Sequence, residues 1–218
     1  ALPIWLMREV MHAVAPEVII ITETNVPHGE NISYFGEGND EAQMVYNFAL
    51  PPLLAFSVLK SNTEKLTNWA KELALPGGGV CFFNFTASHD GIGVRAVNDI
   101  LDEKEMSFLV RTSIGHGGYA SYRAIGDEDE SPYELNCSYI DLLTHPEEDD
   151  NIRVKRMILS QAVVLAMPGV PGIYFHSLVG SRNYHEAVRK TRINRSINRD
   201  KLNYDNLKEL LEEEGSLQ

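Results

Sequence analysis

The sequence is poor in cysteine, poor in positive charge and free of long apolar runs. Its two cysteines, Cys81 and Cys137, are too few for a disulfide framework, and neither lies in a Cys-x-x-Cys or Cys/His array of the kind that holds zinc. Both read as reduced thiols. Lysine and arginine together number 19 against 31 acidic residues, a formal net charge of -12, and no Lys/Arg-rich run occurs. Nucleic-acid affinity rests mostly on cationic contacts to phosphates, so no nucleic-acid partner is expected. No apolar run approaches the roughly 18 residues of a membrane span. The opening ALPIWLMREV also has no basic leader followed by a cleavable apolar segment. No membrane partner is expected, and the chain is expected to be cytoplasmic. His12, His28, His116, His145, His176 and His185 are scattered, without His-Glu-x-x-His or similar spacing, so neither a metal nor another cofactor is expected. PGGGV and GHGG lack the Lys-Ser/Thr of a phosphate loop, and both read as turns.

What is present is a globular composition. With 44% hydrophobic residues in 218, the chain can bury a large core as one domain. Leu2, Leu6, Met7, Val10, Met11 and Val14 recur at helical spacing, which predicts an amphipathic helix over 2–14 with Pro16 closing it. No side chain caps its start, so the chain is expected to begin inside a larger fold. VIIIT, residues 18–22, is a β-branched run of the kind found in a strand buried on both faces of a parallel sheet. MVYNF predicts a short strand, the segment after Pro51 and Pro52 a helix, and Leu66, Trp69, Ala70 and Leu73 another helix. VCFFNF predicts a third strand and residues 102–112 a further helix. YASYRAI and YELNCSY flank the turn-like GDEDESP, which predicts an inserted hairpin at about 115–140. After the acidic run EEDD, Val154, Met157, Ile158, Ala162 and Leu165 mark a helix. PGVPGIYF then reads as a fourth strand and LKELLEEEGSLQ as a solvated helix. Alternating strands and helices imply β/α units and a parallel sheet, about half of an eight-unit barrel.

Two carboxylates stand at corresponding places in two units: Glu23 after VIIIT and Asp90 after FFNFTAS. In β/α barrels the carboxyl ends of the strands build the active site, although a single strand-end carboxylate equally well caps a helix or pairs with an arginine. A glutamate near apolar walls can hold a proton and donate it to a leaving oxygen, the acid/base role in glycoside chemistry. His89, beside Asp90, reads either as a core histidine or as a donor to a sugar hydroxyl. Adjacent residues on an extended strand point to opposite sides, so Ser88, His89 and Asp90 are not expected to act as a triad. Gly91 and Gly93 are expected to turn the backbone away close to a ligand.

Five stretches, ITETNVPH (21–28), FNFTASHDGIGVR (83–95), PYELN (132–136), GVPGIYFHSLVGSRN (169–183) and RSINR (195–199), together resemble glycoside hydrolase family 13, the alpha-amylase family. They are most similar to its sucrose phosphorylase branch, which includes glucosylglycerate phosphorylases. The resemblance implies an α/β fold, the C-terminal half of a (β/α)8 TIM barrel spanning strands 5 to 8 with an inserted β-hairpin. It also implies that residues 1–218 form one partial catalytic domain. By the same resemblance Glu23 would be the general acid/base and Asp90 the carboxylate that stabilises the transition state. His89, Glu134, Arg195 and Arg199 would bind substrate, with either Arg195 or Arg199 reaching the glucosyl unit. Glu134 stands where sucrose phosphorylases usually carry glutamine, which favours an acceptor other than fructose. The family's nucleophilic aspartate and first four strands are expected to lie outside this sequence, which contains no Arg-x-Asp-Ala motif.

The implied activity is retaining transfer of glucosyl between a glucoside and phosphate, without a metal. An amylase-type glucosidase or transglucosidase shares the first half-reaction. The alternative of another class is a non-catalytic half-barrel that hides its sheet edges in a homo-oligomer, or against the missing N-terminal half. A phosphate-handling α/β protein of some other fold rests on the strand and helix alternation alone.

Overall fold

The computed structural model describes residues 2–125 and 129–213. Four short strands, β1 (Ile21–Thr22), β2 (Met44–Tyr46), β3 (Cys81–Asn84) and β7 (Val170–Pro171), pair in parallel in that order. The register runs Thr22 to Val45, Val45 to Phe82 and Phe83 to Val170. A second, antiparallel sheet has the order β4 (Ile92–Gly93), β6 (Asp129–Asn136), β5 (Tyr119–Ile125). The last two strands form the inserted hairpin, and its tip, residues 126–128, lies outside the described residues.

The helices are α1 (Leu2–Val14), α2 (His28–Ser33), α3 (Leu50–Lys60), α4 (Glu64–Glu72), α5 (Glu103–Gly115), α6 (Tyr139–Leu143), α7 (Asp150–Ala166), α8 (Phe175–Leu178), α9 (His185–Thr191) and α10 (Tyr204–Glu212). Local chemistry accounts for several boundaries. Pro51 and Pro52 sit in the first turn of α3, where the missing N–H groups would have had no partner in any case. Asp102 accepts from the amides of Lys104 and Glu105 while Glu105 reaches back to the Asp102 amide, a complete capping box for α5. Asp149, from the EEDD run, caps α7 through the Asn151 amide.

The main core lies between α3, β4, α5 and α6, where Leu50, Leu53, Ile92, Leu109, Leu142 and Leu143 are fully buried. Tyr139 joins it by donating its hydroxyl to the Pro51 carbonyl at 2.8 Å. Burial raises the Tyr139 phenol well above its ordinary pKa.

Several sequence expectations require correction. Only Ile21 and Thr22 of VIIIT pair, and the run is not buried on both faces. Its strand is the sheet's outer member, so Ile19 remains 51% exposed. PGVPGIYF pairs only through Val170 and Pro171, and Phe175 already opens α8. YELNCSY ends as a strand at Asn136, because Ser138 accepts from the Asp141 amide and starts α6. α1 has its expected bounds but buries no residue, and on α7 Ile158 and Leu165 stay 63% and 59% exposed. Ile21 of β1 and Val170 of β7, on the two open edges of the parallel sheet, are exposed as well. In a closed barrel both edges would be covered.

Candidate active site

The site is assembled where the parallel strands end. Glu23 directly follows β1 and is exposed. Tyr46 ends β2, and its phenol is raised by burial and, secondarily, by the charge of Glu23. Tyr46 lies 4.7 Å from the Phe83 ring and 5.2 Å from Phe85, centroid to centroid. Together with His89, Ile173 and Tyr174 these aromatics line an open pocket of about 190 Å³. Gly172 leaves room for this packing, since a Cβ there would overlap the Phe83 ring.

Beside the pocket stands a network of four charged side chains. Arg195 Nη2 donates to Glu134 Oε1 at 2.6 Å and Arg195 Nε to Glu134 Oε2 at 3.0 Å, a two-pronged pairing that suits the guanidinium plane. The same arginine donates through Nη1 to Asp90 Oδ1 at 2.8 Å, and Arg199 Nη2 reaches that oxygen at 2.8 Å. Arg199 Nε also donates to the His89 carbonyl. The hydrogen bond to Glu134 raises the Arg195 pKa, with smaller help from the charges of Glu134 and Asp90. Among the described residues, the side-chain bonds to the Asp90 carboxylate all end on Oδ1, which leaves Oδ2 for a ligand.

The loop that carries Asp90 is fixed from three sides. The Asp90 amide donates to Ser88 Oγ at 3.2 Å, Asn198 Nδ2 donates to the Ser88 carbonyl at 2.9 Å, and Asn136 Nδ2 donates to the Asp90 carbonyl at 3.4 Å. Gly91 then takes a φ of +118°, and a Cβ there would meet the Leu135 carbonyl at 2.9 Å. Gly93 likewise has no space for a Cβ, which would fall 2.7 Å from the Asn25 side chain. Both glycines therefore let neighbouring protein approach closely, and the positive φ of Gly91 supplies the turn that the sequence reading expected.

The geometry also corrects the argument about adjacent side chains. His89 and Asp90 lie in a bend, not an extended strand, and His89 Nε2 comes within 3.4 Å of Asp90 Oδ1. With its side chain 60% exposed, His89 is not a core histidine. Asp90, His89, Glu134, Arg195 and Arg199 are brought together, and Glu23 stands at the same end of the sheet near Tyr46. The side chain of Glu134 is only 6% exposed, and both its oxygens are occupied by Arg195. The sequence reading missed Asn136 and Asn198. Their one signal was the presence of Asn within PYELN and RSINR, inside motifs already singled out. Among the described residues no group of three or more His, Cys, Asp or Glu is arranged to hold a metal ion. Nor is any described helix long and apolar enough to cross a membrane.

No protein-family model matches the chain. Glucosylglycerate phosphorylase of Escherichia coli strain K12 is 45% identical over 214 residues, covering 98% of this chain and 38% of that protein. Glucosylglycerate phosphorylase of Spirochaeta thermophila is 46% identical over 212 residues, 97% of this chain and 36% of that protein. Its homologues are glucosylglycerate and sucrose phosphorylases of glycoside hydrolase family 13. The crystal structure of sucrose 6F-phosphate phosphorylase from Thermoanaerobacter thermosaccharolyticum superimposes with a TM-score of 0.81 at 21% identity, over 96% of this chain and 40% of that one. The fold is thus that of part of a phosphorylase (β/α)8 barrel, with the hairpin inserted. The chain spans less than half the length of these family 13 relatives.

Proposed function

We propose that this chain supplies the acid/base side of the active site of a retaining glucoside phosphorylase whose glucoside is glucosylglycerate. The observation that carries the reading is the pairing of Asp90 with two arginines at the end of β3, with Glu23 at the same end of β1. Two carboxylates about 5 to 5.5 Å apart perform retention, one attacking the anomeric carbon and one protonating the leaving oxygen. In this reading Glu23 is the proton donor, and the attacking aspartate belongs to the part of the relatives that this chain does not span. As the glycosidic C–O bond breaks, its electron pair passes to the departing oxygen, which takes the proton of Glu23. A phosphate oxygen then attacks the anomeric carbon, the ester bond to the aspartate breaks with its electron pair returning to that carboxylate, and Glu23 takes back a proton from phosphate.

Asp90, anchored through Oδ1, holds sugar hydroxyls as the oxocarbenium-like charge develops, and His89 donates to the same sugar. Arg195 and Arg199 need not compete for one role, because both orient Asp90. Glu134, with both oxygens on Arg195, supports that arginine instead of meeting the acceptor. The names of the relatives at 45% and 46% identity support glycerate over fructose as the acceptor.

The test uses the polypeptide completed to the length of its relatives. Phosphate-dependent formation of glucose 1-phosphate is measured with glucosylglycerate and with sucrose, and a preference for the former is expected. Release of free glucose independent of phosphate would refute phosphorolysis in favour of a hydrolase.

For the chain by itself the exposed apolar residues at β1 and β7 favour a second reading, self-association through the open sheet edges. Sedimentation velocity is expected to show dimers or larger species, and a sharp monomer counts against it. The two free cysteines, Cys81 and Cys137, fit a reducing compartment such as the cytoplasm.

A further inference from the structure

The residue two positions after Glu23 ties the acid/base loop to the strand that bears Glu134. Asn25 Nδ2 donates to the Tyr133 carbonyl at 2.9 Å, and Asn25 Oδ1 accepts from the Arg95 amide at 3.2 Å. Both partners lie about 70 residues or more away in sequence, so the loop is pinned by tertiary contacts and not by its own turn. The seam it grips is where Gly93 of β4 pairs with Glu134 of β6. A Cβ at Gly93 would stand 2.7 Å from Asn25 Cγ and Oδ1, so this position is bare where the amide lies against it. The other end of the loop is held as well. Thr24 Oγ1 donates to Asn31 Oδ1 at 3.1 Å, and buried Asn31 donates to the Tyr46 carbonyl at 2.8 Å. Glu23 itself is exposed and stands at the edge of the sheet. Its place is therefore set by β1 before it and by the residues that follow it.

We infer that Asn25 is a positioning residue for the proton donor: its side-chain amide clasps the Glu23 loop onto the β4–β6 seam and so sets Glu23 in register with the Arg195-centred network. The inference rests on the reading of Glu23 as general acid. A misplacement of about 1 Å at a reacting group can cost a factor of about 100 in rate. The loss should fall on proton transfer alone. A glucoside whose leaving oxygen must be protonated suffers, whereas glucosyl fluoride does not, because the C–F bond breaks with its electron pair on fluoride and no proton is needed.

The experiment compares Asn25→Ala, Glu23→Gln and the parent, each completed to the length of its relatives. Single-turnover cleavage of glucosylglycerate is measured beside single-turnover fluoride release from α-glucosyl fluoride, so that the later return of a proton to Glu23 enters neither rate. For Asn25→Ala the expected result is a single-turnover rate constant on the glucoside reduced about ten- to a hundredfold with its half-saturating concentration within about twofold, and fluoride release within about threefold of the parent. Glu23→Gln should show the same selectivity, more strongly. Equal losses on both substrates, or no loss, in Asn25→Ala overturn the role of Asn25 provided Glu23→Gln remains selective. If Glu23→Gln is itself unselective, the general-acid reading fails instead. Should Asn25→Ala not fold, Asn25→Asp and Gly93→Ala replace it. The first can still accept from Arg95 but cannot donate to Tyr133, and the second displaces an intact Asn25. Both must reproduce the selective loss, and an unselective loss in both rejects the inference.

Discussion

Replacement of Arg195 by alanine removes the hub of the charged network and strands its most buried member. The Glu134 side chain is 6% exposed, accepts two hydrogen bonds from Arg195 and keeps one further side-chain donor, Asn136 Nδ2 at 3.1 Å. Removing one partner of a fully buried ion pair costs about 3 to 5 kcal/mol, because the remaining charge is left uncompensated. Arg195 is itself more than a third exposed, so its removal also lets water toward Glu134. The cost therefore falls below that range, at about 2 to 3 kcal/mol in urea unfolding at neutral pH. Arg195→Lys keeps the charge but not the two-pronged geometry and should lose about 1 kcal/mol. The double variant Arg195→Ala with Glu134→Gln removes both charges together. It should be more stable than Arg195→Ala alone, with a coupling energy of about 2 kcal/mol in the double-mutant cycle. A cost below about 1 kcal/mol for Arg195→Ala, or a coupling near zero, would show that the pair is a surface contact that holds nothing in place.

Three further outcomes follow from individual environments. Burial lowers the His28 pKa, and Trp69 Nε1 donates to its Nε2 at 3.2 Å, which the charged form cannot accept. Unfolded His28 takes up a proton near pH 6.5 while the folded form resists, so stability should fall as the pH drops below that value. The loss reaches at most about 1.4 kcal/mol per pH unit, and His28→Gln, which keeps an acceptor for Trp69, should flatten that slope. Burial pushes the Cys137 thiol up to about 12, so at pH 8 a thiol reagent should modify Cys81 in the native chain and reach Cys137 only on unfolding. Rapid labelling of both thiols in the folded protein contradicts this. Gly172→Ala places a Cβ into the Phe83 ring and should destabilise by about 1 to 3 kcal/mol. Unchanged melting would mean that the ring can move aside.

The parts of the fold that could be read from the sequence are those whose energetics are local. α1, α5 and α7 carry helical periodicity, with acidic caps on the last two, and the hairpin shows as alternation around an acidic turn. The strand lengths could not be read, because a β-branched run says only that a residue can be buried. Whether it is depends on neighbours, and β1 and β7 each have one. The same limit explains the exposed side chains of α1 and α7. Their apolar faces were correctly identified, but a periodic face carries no information about what covers it.

At the site the division falls between residue type and partner. Glu23 and Asp90 stood out because they closed apolar runs, whereas Glu134, Arg195 and Arg199 stood out only through the family resemblance of PYELN and RSINR. Their connection crosses 105 residues from Asp90 to Arg195 and 61 from Glu134 to Arg195, a range over which no periodicity speaks. Three asparagines do the joining: Asn25 to the hairpin, Asn136 to the Asp90 loop and Asn198 to Ser88. An amide suits this work because it offers donors and an acceptor without a charge to neutralise, so it can bridge two backbones beside an ion network without disturbing its balance. The glycines beside Asp90 belong to the same construction. Gly91 and Gly93 bring β4 against Asn136 and Asn25, and the short distances from their missing side chains measure how closely the strand that leaves Asp90 is pressed between the Glu23 loop and the hairpin. Close backbone approach and neutral amides thus hold the loops that carry the charged groups, while the ion pairs orient the side chains themselves. It follows that salt, which screens exposed pairs such as Arg199 with Asp90, should weaken those contacts while leaving the Asn25 and Asn136 bridges in place.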